Sequence, residues 1–168
     1  MKYTKIRNVK SPTRANATDA GIDFFVPEWS EEFKNSVIEK NVSNGIGFDI
    51  TLQTIIVPPQ HGVLIPAGVK VKVPEGFALI AFNKSGIATK QQLLAGACVV
   101  DEDYRGEVHI NVINTGKRTI NIAAGSKLMQ FLLIEVNNEM PEEISNEEYS
   151  MFENTSRGAG GFGSTGTK

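Results

Sequence analysis

Asp101 ends an apolar run in the stretch GACVVDEDYRGEV, residues 96–108. Val99 and Val100 are expected to drive a strand inward and to deliver the carboxylate into a site before EDYRG turns the chain back out. Burial raises a carboxyl pKa and neighbouring cations lower it, so an acid held beside phosphate-binding groups could act as a general base on water. The competing reading is an acidic turn in which Arg105 is the ion-pair partner, and it suits Asp103 better than Asp101.

Four other stretches carry polar chemistry. In TDAGID (18–23), Asp19 and Asp23 flank Gly21 and would make local backbone bonds around it. NKSGIA (83–88) follows the strand-like FALIAF, and Lys84, Ser85 and Gly86 offer either a phosphate nest with a cation and a hydroxyl or a plain turn. In AGSKLMQ (124–130), Gln130 is an amide in an otherwise apolar run, and it needs a partner in the backbone or in a ligand. RGAGGFGSTG (157–166) reads as a linker or as an arm that folds onto an anion. Arg157 would pair with phosphate, Ser164 and Thr165 would donate hydrogen bonds, and Phe162 would stack on a ring.

The elements that must position these residues read as β-structure. VKVKVPEG alternates Val69, Val71 and Val73 with lysines, and EVHINVINTGKRTINI alternates twice about NTGK, the pattern of a hairpin. KLMQFLLIEV reads as a buried strand or a short helix, and its turn-bounded neighbours favour the strand. Residues 29–54 hold the best helix candidate, with Ser30 capping Glu31 and Glu32 and with Phe33, Val37 and Ile38 at near-helical spacing. The chain divides into an all-β domain over 1–136, in which 29–54 is an extra segment, an acidic connector over 137–156 and a glycine-rich arm over 157–168.

The chain has 168 residues, 40% of them hydrophobic, enough for one domain with a sizeable core. Its formal net charge of -2 argues against a polynucleotide partner. Cys98, the single cysteine, cannot form an internal disulfide; it fits a reducing compartment, with a small buried hydrophobe as its plain role. No signal-peptide core or membrane-length apolar run is present, so the expected location is the cytoplasm, or a host's cytoplasm if the chain is viral.

The five stretches, in this order, resemble the five motifs of the trimeric deoxyuridine triphosphatases (dUTPases) from about residue 15 to 166. The resemblance implies a distorted jelly-roll-like subunit, a homotrimer with shared active sites, and cleavage of dUTP between the α and β phosphates with Mg²⁺ bound to the phosphates. That reaction yields dUMP for thymidylate synthesis and limits uracil in DNA. It further implies that Asp101 activates the attacking water, that Tyr104 packs on the deoxyribose, and that the backbone at Cys98 and His109 reads uracil. Lys84, Ser85 and Gly86 would bind phosphates with Gln130 near them, and Asp23 would lie in the polar shell of the metal or at a subunit contact. Arg157 would hold the γ phosphate, Phe162 would cover the base, and Gly163, Ser164 and Thr165 would close over the triphosphate. The chain departs from the family pattern at Lys84, where Arg is usual, at Asn83, where Pro is usual, and at Cys98, where Gly is usual. Lys keeps the charge without the bidentate fork, and a side chain at 98 reshapes the pyrimidine slot. Two other readings stand beside this one: a relative acting on dCTP, as a deaminase or a diphosphatase, and a non-catalytic regulator whose segment 29–54 touches a protein partner.

Overall fold

Val69, Val71 and Val73 are buried and the intervening Lys70 and Lys72 are exposed, as strand alternation requires. In the computed structural model, which describes residues 1–161, 164 and 166, these residues run along or just past β5 (Gly62–Lys72). This long strand pairs antiparallel with β1 (Lys2–Lys5) on one side and with β9 (Glu107–Asn114) on the other, and β7 (Leu93–Ala95) closes the four-stranded sheet. Opposite residues share a face, so Val63 with Val112 and Ile65 with Ile110 form a fully buried ladder of branched side chains. A second four-stranded sheet runs β2 (Ile22–Asp23), β11 (Met129–Glu135), β6 (Phe77–Asn83), β8 (Val99–Val100), and a third runs β10 (Ile120–Ala123), β4 (Thr54–Val57), β3 (Gly47–Asp49). The inner faces of all three meet in one apolar core that includes Ile65, Leu79, Phe131, Ile55 and Ile122. Phe24 and Phe131 pack at 4.6 Å between ring centroids inside it. The fold is all-β and jelly-roll-like, as the sequence led us to expect.

The chain forms two compact units, Met1–Asn137 and Asn138–Lys168. Within the first, α1 (Glu31–Lys40) starts where the cap signal put it, with the Phe33 N–H donating to Ser30 Oγ at 3.1 Å. Phe33 and Val37 are buried beneath it, while Ile38 points outward at 43% exposure.

Three expectations are corrected. The NTGK turn does not close a hairpin: β9 pairs with β5 and β7, whereas β10 leaves for the third sheet and pairs with β4. The buried Asn114 amide explains the departure. Its Nδ2 donates to the carbonyls of Val57 and Arg118 and its Oδ1 accepts from the Gly116 N–H, which ties the turn to the end of β4. NKSGIA is not a loop but the start of α2 (Ser85–Gln91), with Lys84 at its N-cap position. The acidic connector contains α3 (Asn146–Ser150), capped by the Ser145 hydroxyl accepting from the Glu148 N–H. Finally, β8 is an edge strand of two residues, so Val99 is 57% exposed and only Val100 turns partly inward.

Candidate active site

Four residues singled out in the sequence line one cavity of about 240 Å³: Cys98, Asp101, Tyr104 and His109. The odd-numbered face of β9 forms one wall, because the even-numbered Val108, Ile110 and Val112 are committed to the core. The segment 97–101 crosses this wall and is clamped to it. Asn111 Oδ1 accepts from the Ala97 N–H at 2.7 Å and its Nδ2 donates to the Val63 carbonyl at 3.1 Å. A Cβ at Gly96 would stand 1.9 Å from that same Oδ1, so the clamp needs glycine there.

The backbone beside the cavity is unusual. Pro66 lies opposite His109 and has no N–H to give to the ladder, and the register of β5 against β9 shifts between Pro66 and Lys70. Gly68 takes the bend at φ +70 and donates its N–H to Glu107 Oε1 at 2.7 Å. Asp101 is exposed at the mouth, just after β8, and its carbonyl accepts from the Tyr104 N–H at 3.3 Å. Arg105 makes no acidic turn of the kind expected; its Nη1 donates to the Glu102 and Tyr104 carbonyls. Cys98 is half-buried and packs against the core.

Burial pushes the His109 imidazole below its usual range, and Lys40 and Arg7 push the same way while Glu107 opposes them. The unfolded chain therefore takes up the His109 proton first as the medium is acidified. Stability from this group is complete above about pH 6.5 and falls as the pH drops from there toward the lowered native value. Thermal melts from pH 7.5 to 5 are expected to show this loss, and His109→Gln to reduce it.

The phosphate-type residues gather elsewhere. Asp23 is 3% exposed, and its two carboxylate oxygens accept from Lys84 Nζ at 2.5 Å and Lys127 Nζ at 2.8 Å. Burial pushes this carboxyl up, but the bonds from Lys127 and Lys84 outweigh it and hold Asp23 below its usual range. The expected local backbone bonds are made by the Asp19 carboxylate, which accepts from the Asn16 N–H at 2.9 Å, and not by the Asp23 side chain. Lys84, Gly86, Lys90 and Lys127 border a cleft of about 330 Å³, and no lining residue of this cleft lines the first cavity. Ser85 opens α2 beside it. Gln130 finds a backbone partner, its Nε2 donating to the Asn83 carbonyl at 2.9 Å.

Lys127 escaped the sequence reading although it sits three residues before Gln130 in a quoted stretch; a cation in a motif already thought to face phosphate was the available signal. Asp23→Asn is expected to destabilise the fold by about 1 to 3 kcal/mol at pH 7, less than for a fully buried pair because both ammonium groups reach water. The carboxylate contributes its stability above about pH 3.9 and loses it below the usual carboxylate range, so the gap between wild type and variant closes in strong acid. Denaturant titrations at pH 7 and in acid check this.

In the second unit, Arg157 Nε donates to the Gly160 carbonyl at 2.8 Å and the Ser164 N–H donates to the Gly161 carbonyl at 3.0 Å, so the start of the arm turns on itself. Phe162, Gly163 and Thr165 lie outside the described residues. Among the described residues no three His, Cys, Asp or Glu side chains gather as a metal-holding group, and no helix is long and apolar enough to cross a membrane.

The dUTPase family model matches residues 34–166. The chain belongs to the dUTPase family. The deoxyuridine 5'-triphosphate nucleotidohydrolase of Candida albicans is 36% identical over 134 residues, covering 79% of this chain and 82% of that protein. The one from Yarrowia lipolytica is 33% identical over 161 residues, covering 95% and 83%. Among solved structures, a variant of the Staphylococcus bacteriophage 80alpha dUTPase with dUpNHpp superposes with a TM-score of 0.73 over 99% of this chain and 98% of that one, at 21% identity. The phage structure thus shares the dUTPase fold with this chain. Both fungal relatives align over most of their own length, so the match to the dUTPase family spans nearly the whole domain.

Proposed function

We propose that this chain hydrolyses dUTP to dUMP and pyrophosphate, as a homotrimer whose sites are shared between subunits. What supports the shared site is that the two groups of residues line different cavities on one chain. The base of this reading, Asp101, sits with Tyr104, Cys98 and His109 in one cavity, while Lys84, Gly86 and Lys127 border another. Two half-sites on one chain are what a site completed by a neighbouring copy requires.

In this reading the nucleoside enters the cavity beside β9, its base against the backbone of Cys98 and His109 and its sugar against Tyr104. Asp101 accepts a proton from water as the water oxygen bonds to the α phosphorus; the bond from that phosphorus to the bridging oxygen breaks, and pyrophosphate leaves with the electron pair. Attack at phosphorus is largely a matter of positioning and of charge neutralisation, which the lysine cleft, the Gln130 strand and Ser85 and Gly86 supply. Arg157 pairs with the terminal phosphate and the glycine arm, with Phe162, Gly163, Ser164 and Thr165, excludes water.

The donor chemistry fits a Mg²⁺ ion carried by the nucleotide, because Mg²⁺ keeps several waters and needs few protein ligands. The phosphate oxygens would hold it, and when bound it would neutralise phosphate charge; Asp23, buried and bonded to Lys84 and Lys127, would lie behind those lysines in the surrounding polar shell.

The test is pyrophosphate release with Mg²⁺ across dUTP, dCTP, dTTP and UTP. The expected result is a clear preference for dUTP, since a site short of one methyl group discriminates by only about 1 to 3 kcal/mol unless its walls are rigid, and the Asn111 clamp makes them so. Equal turnover of dCTP would overturn the uracil reading, and ammonia release from dCTP would replace it with deamination.

A further inference from the structure

We propose that the Arg7–Glu107 ion pair is a positioning device for Tyr104, and through it for the choice of deoxyribose over ribose; the proposal rests on the reading of Tyr104 as the residue facing the sugar. Tyr104 is 39% exposed, so packing does not fix its ring from every side. Its hydroxyl donates to the Glu107 carbonyl at 2.9 Å, and the ring lies so close over Gly106 that a Cβ there would stand 2.3 Å from the hydroxyl oxygen. The direction of the ring therefore follows the Glu107 peptide.

That peptide borders the bulge: Glu107 pairs with Lys70 where the β5–β9 ladder resumes after the register shift, and its side chain anchors this end of the interrupted ladder. Glu107 Oε1 accepts from the Gly68 N–H at 2.7 Å and from Arg7 Nε at 3.0 Å, and Oε2 accepts from Arg7 Nη2 at 3.3 Å. The guanidinium and carboxylate are 16% and 14% exposed, so this fork-to-fork pair is shielded enough to be stiff. Arg7 also donates from Nη1 to Glu32 Oε1 at 3.2 Å on α1, a weaker contact because the Glu32 side chain is 85% exposed. Exclusion of a 2′-hydroxyl is steric, and a wall that shifts by an ångström stops excluding. Arg7 thus acts on the sugar without touching it, through Glu107 and Tyr104.

The test measures kcat and KM for dUTP and UTP with Mg²⁺ on the full chain, for wild type, Arg7→Gln, Arg7→Lys and Tyr104→Ala. Arg7→Gln is expected to lower the dUTP-to-UTP ratio of kcat/KM by about tenfold, chiefly through better use of UTP, and Arg7→Lys to restore part of it by keeping the charge without the fork. General destabilisation would lower both nucleotides together and leave the ratio alone. If Tyr104→Ala lowers the ratio and neither Arg7 variant does, the positioning proposal is overturned while the sugar reading stands. If Tyr104→Ala also leaves the ratio unchanged, the sugar reading is overturned and the proposal with it. Should Arg7→Gln show no cooperative melt, Arg7→Lys and Glu107→Gln carry the comparison, and an unchanged ratio in both overturns the proposal.

Discussion

Asp101→Asn is expected to lower dUTP turnover by about 100- to 10,000-fold while the nucleotide still binds. The substitution keeps the shape of the side chain at the mouth of the cavity and removes only its ability to take a proton, and it leaves the Asn111 clamp, Tyr104 and the lysine cleft intact. Asp101 is exposed and sits at the end of an edge strand, so little stability depends on it. Single-turnover kinetics together with binding of a non-hydrolysable analogue separate the two quantities. Turnover near wild type would remove Asp101 from the mechanism, and lost binding with a normal single-turnover rate would make it a ligand contact.

The second large effect concerns subunits. Two inactive proteins, Asp101→Asn and a truncation ending at Ser156, are expected to regain activity when their subunits are mixed through unfolding and refolding. The stretch 137–156 has about 20 residues, and at about 3.3 Å per extended residue it reaches up to about 60 Å, less what α3 takes up at about 1.5 Å per residue. That is ample to reach a neighbouring copy. In mixed trimers some sites would combine Asp101 from the truncated chain with the glycine arm of the substituted one. Mixed trimers confirmed by mass, yet as inactive as their parents, would show that each arm serves its own subunit.

Much of the fold was legible because alternation reports burial directly. Val108, Ile110 and Val112 could be assigned to a core without knowing what lay across from them. Partner choice is a different quantity. β9 and β10 look like a hairpin because the two strands and the turn are each locally well formed, and what separates them is one buried amide, Asn114, bonding to a strand far upstream. The helix at Ser85 was hidden for a related reason: its seven residues bury no side chain, so no apolar period marks it. In the site, Asp101 stood out by its own chemistry and Tyr104, Cys98 and His109 through the resemblance to the dUTPases, and the four do meet around one cavity. Residues whose role depends on geometry did not stand out. Lys127 matters through the carboxylate it shares with Lys84, and Arg7 through a bulge that no local pattern announces.

The central place of β11 in the second sheet bears on when the protein can first become active. Asp23 belongs to β2, Lys84 follows β6, and β11 is the strand that joins these two across most of the chain's length, bringing Lys127 with it. Pairings between such distant segments form slowly, because the closure entropy is paid before the contacts reward it. A chain still emerging from the ribosome can lay β5 against β1 early, but it has no lysine cleft until the residues around Glu135 have cleared the exit tunnel. Nascent chains arrested before that point should therefore resist proteolysis only in part and bind no nucleotide phosphate.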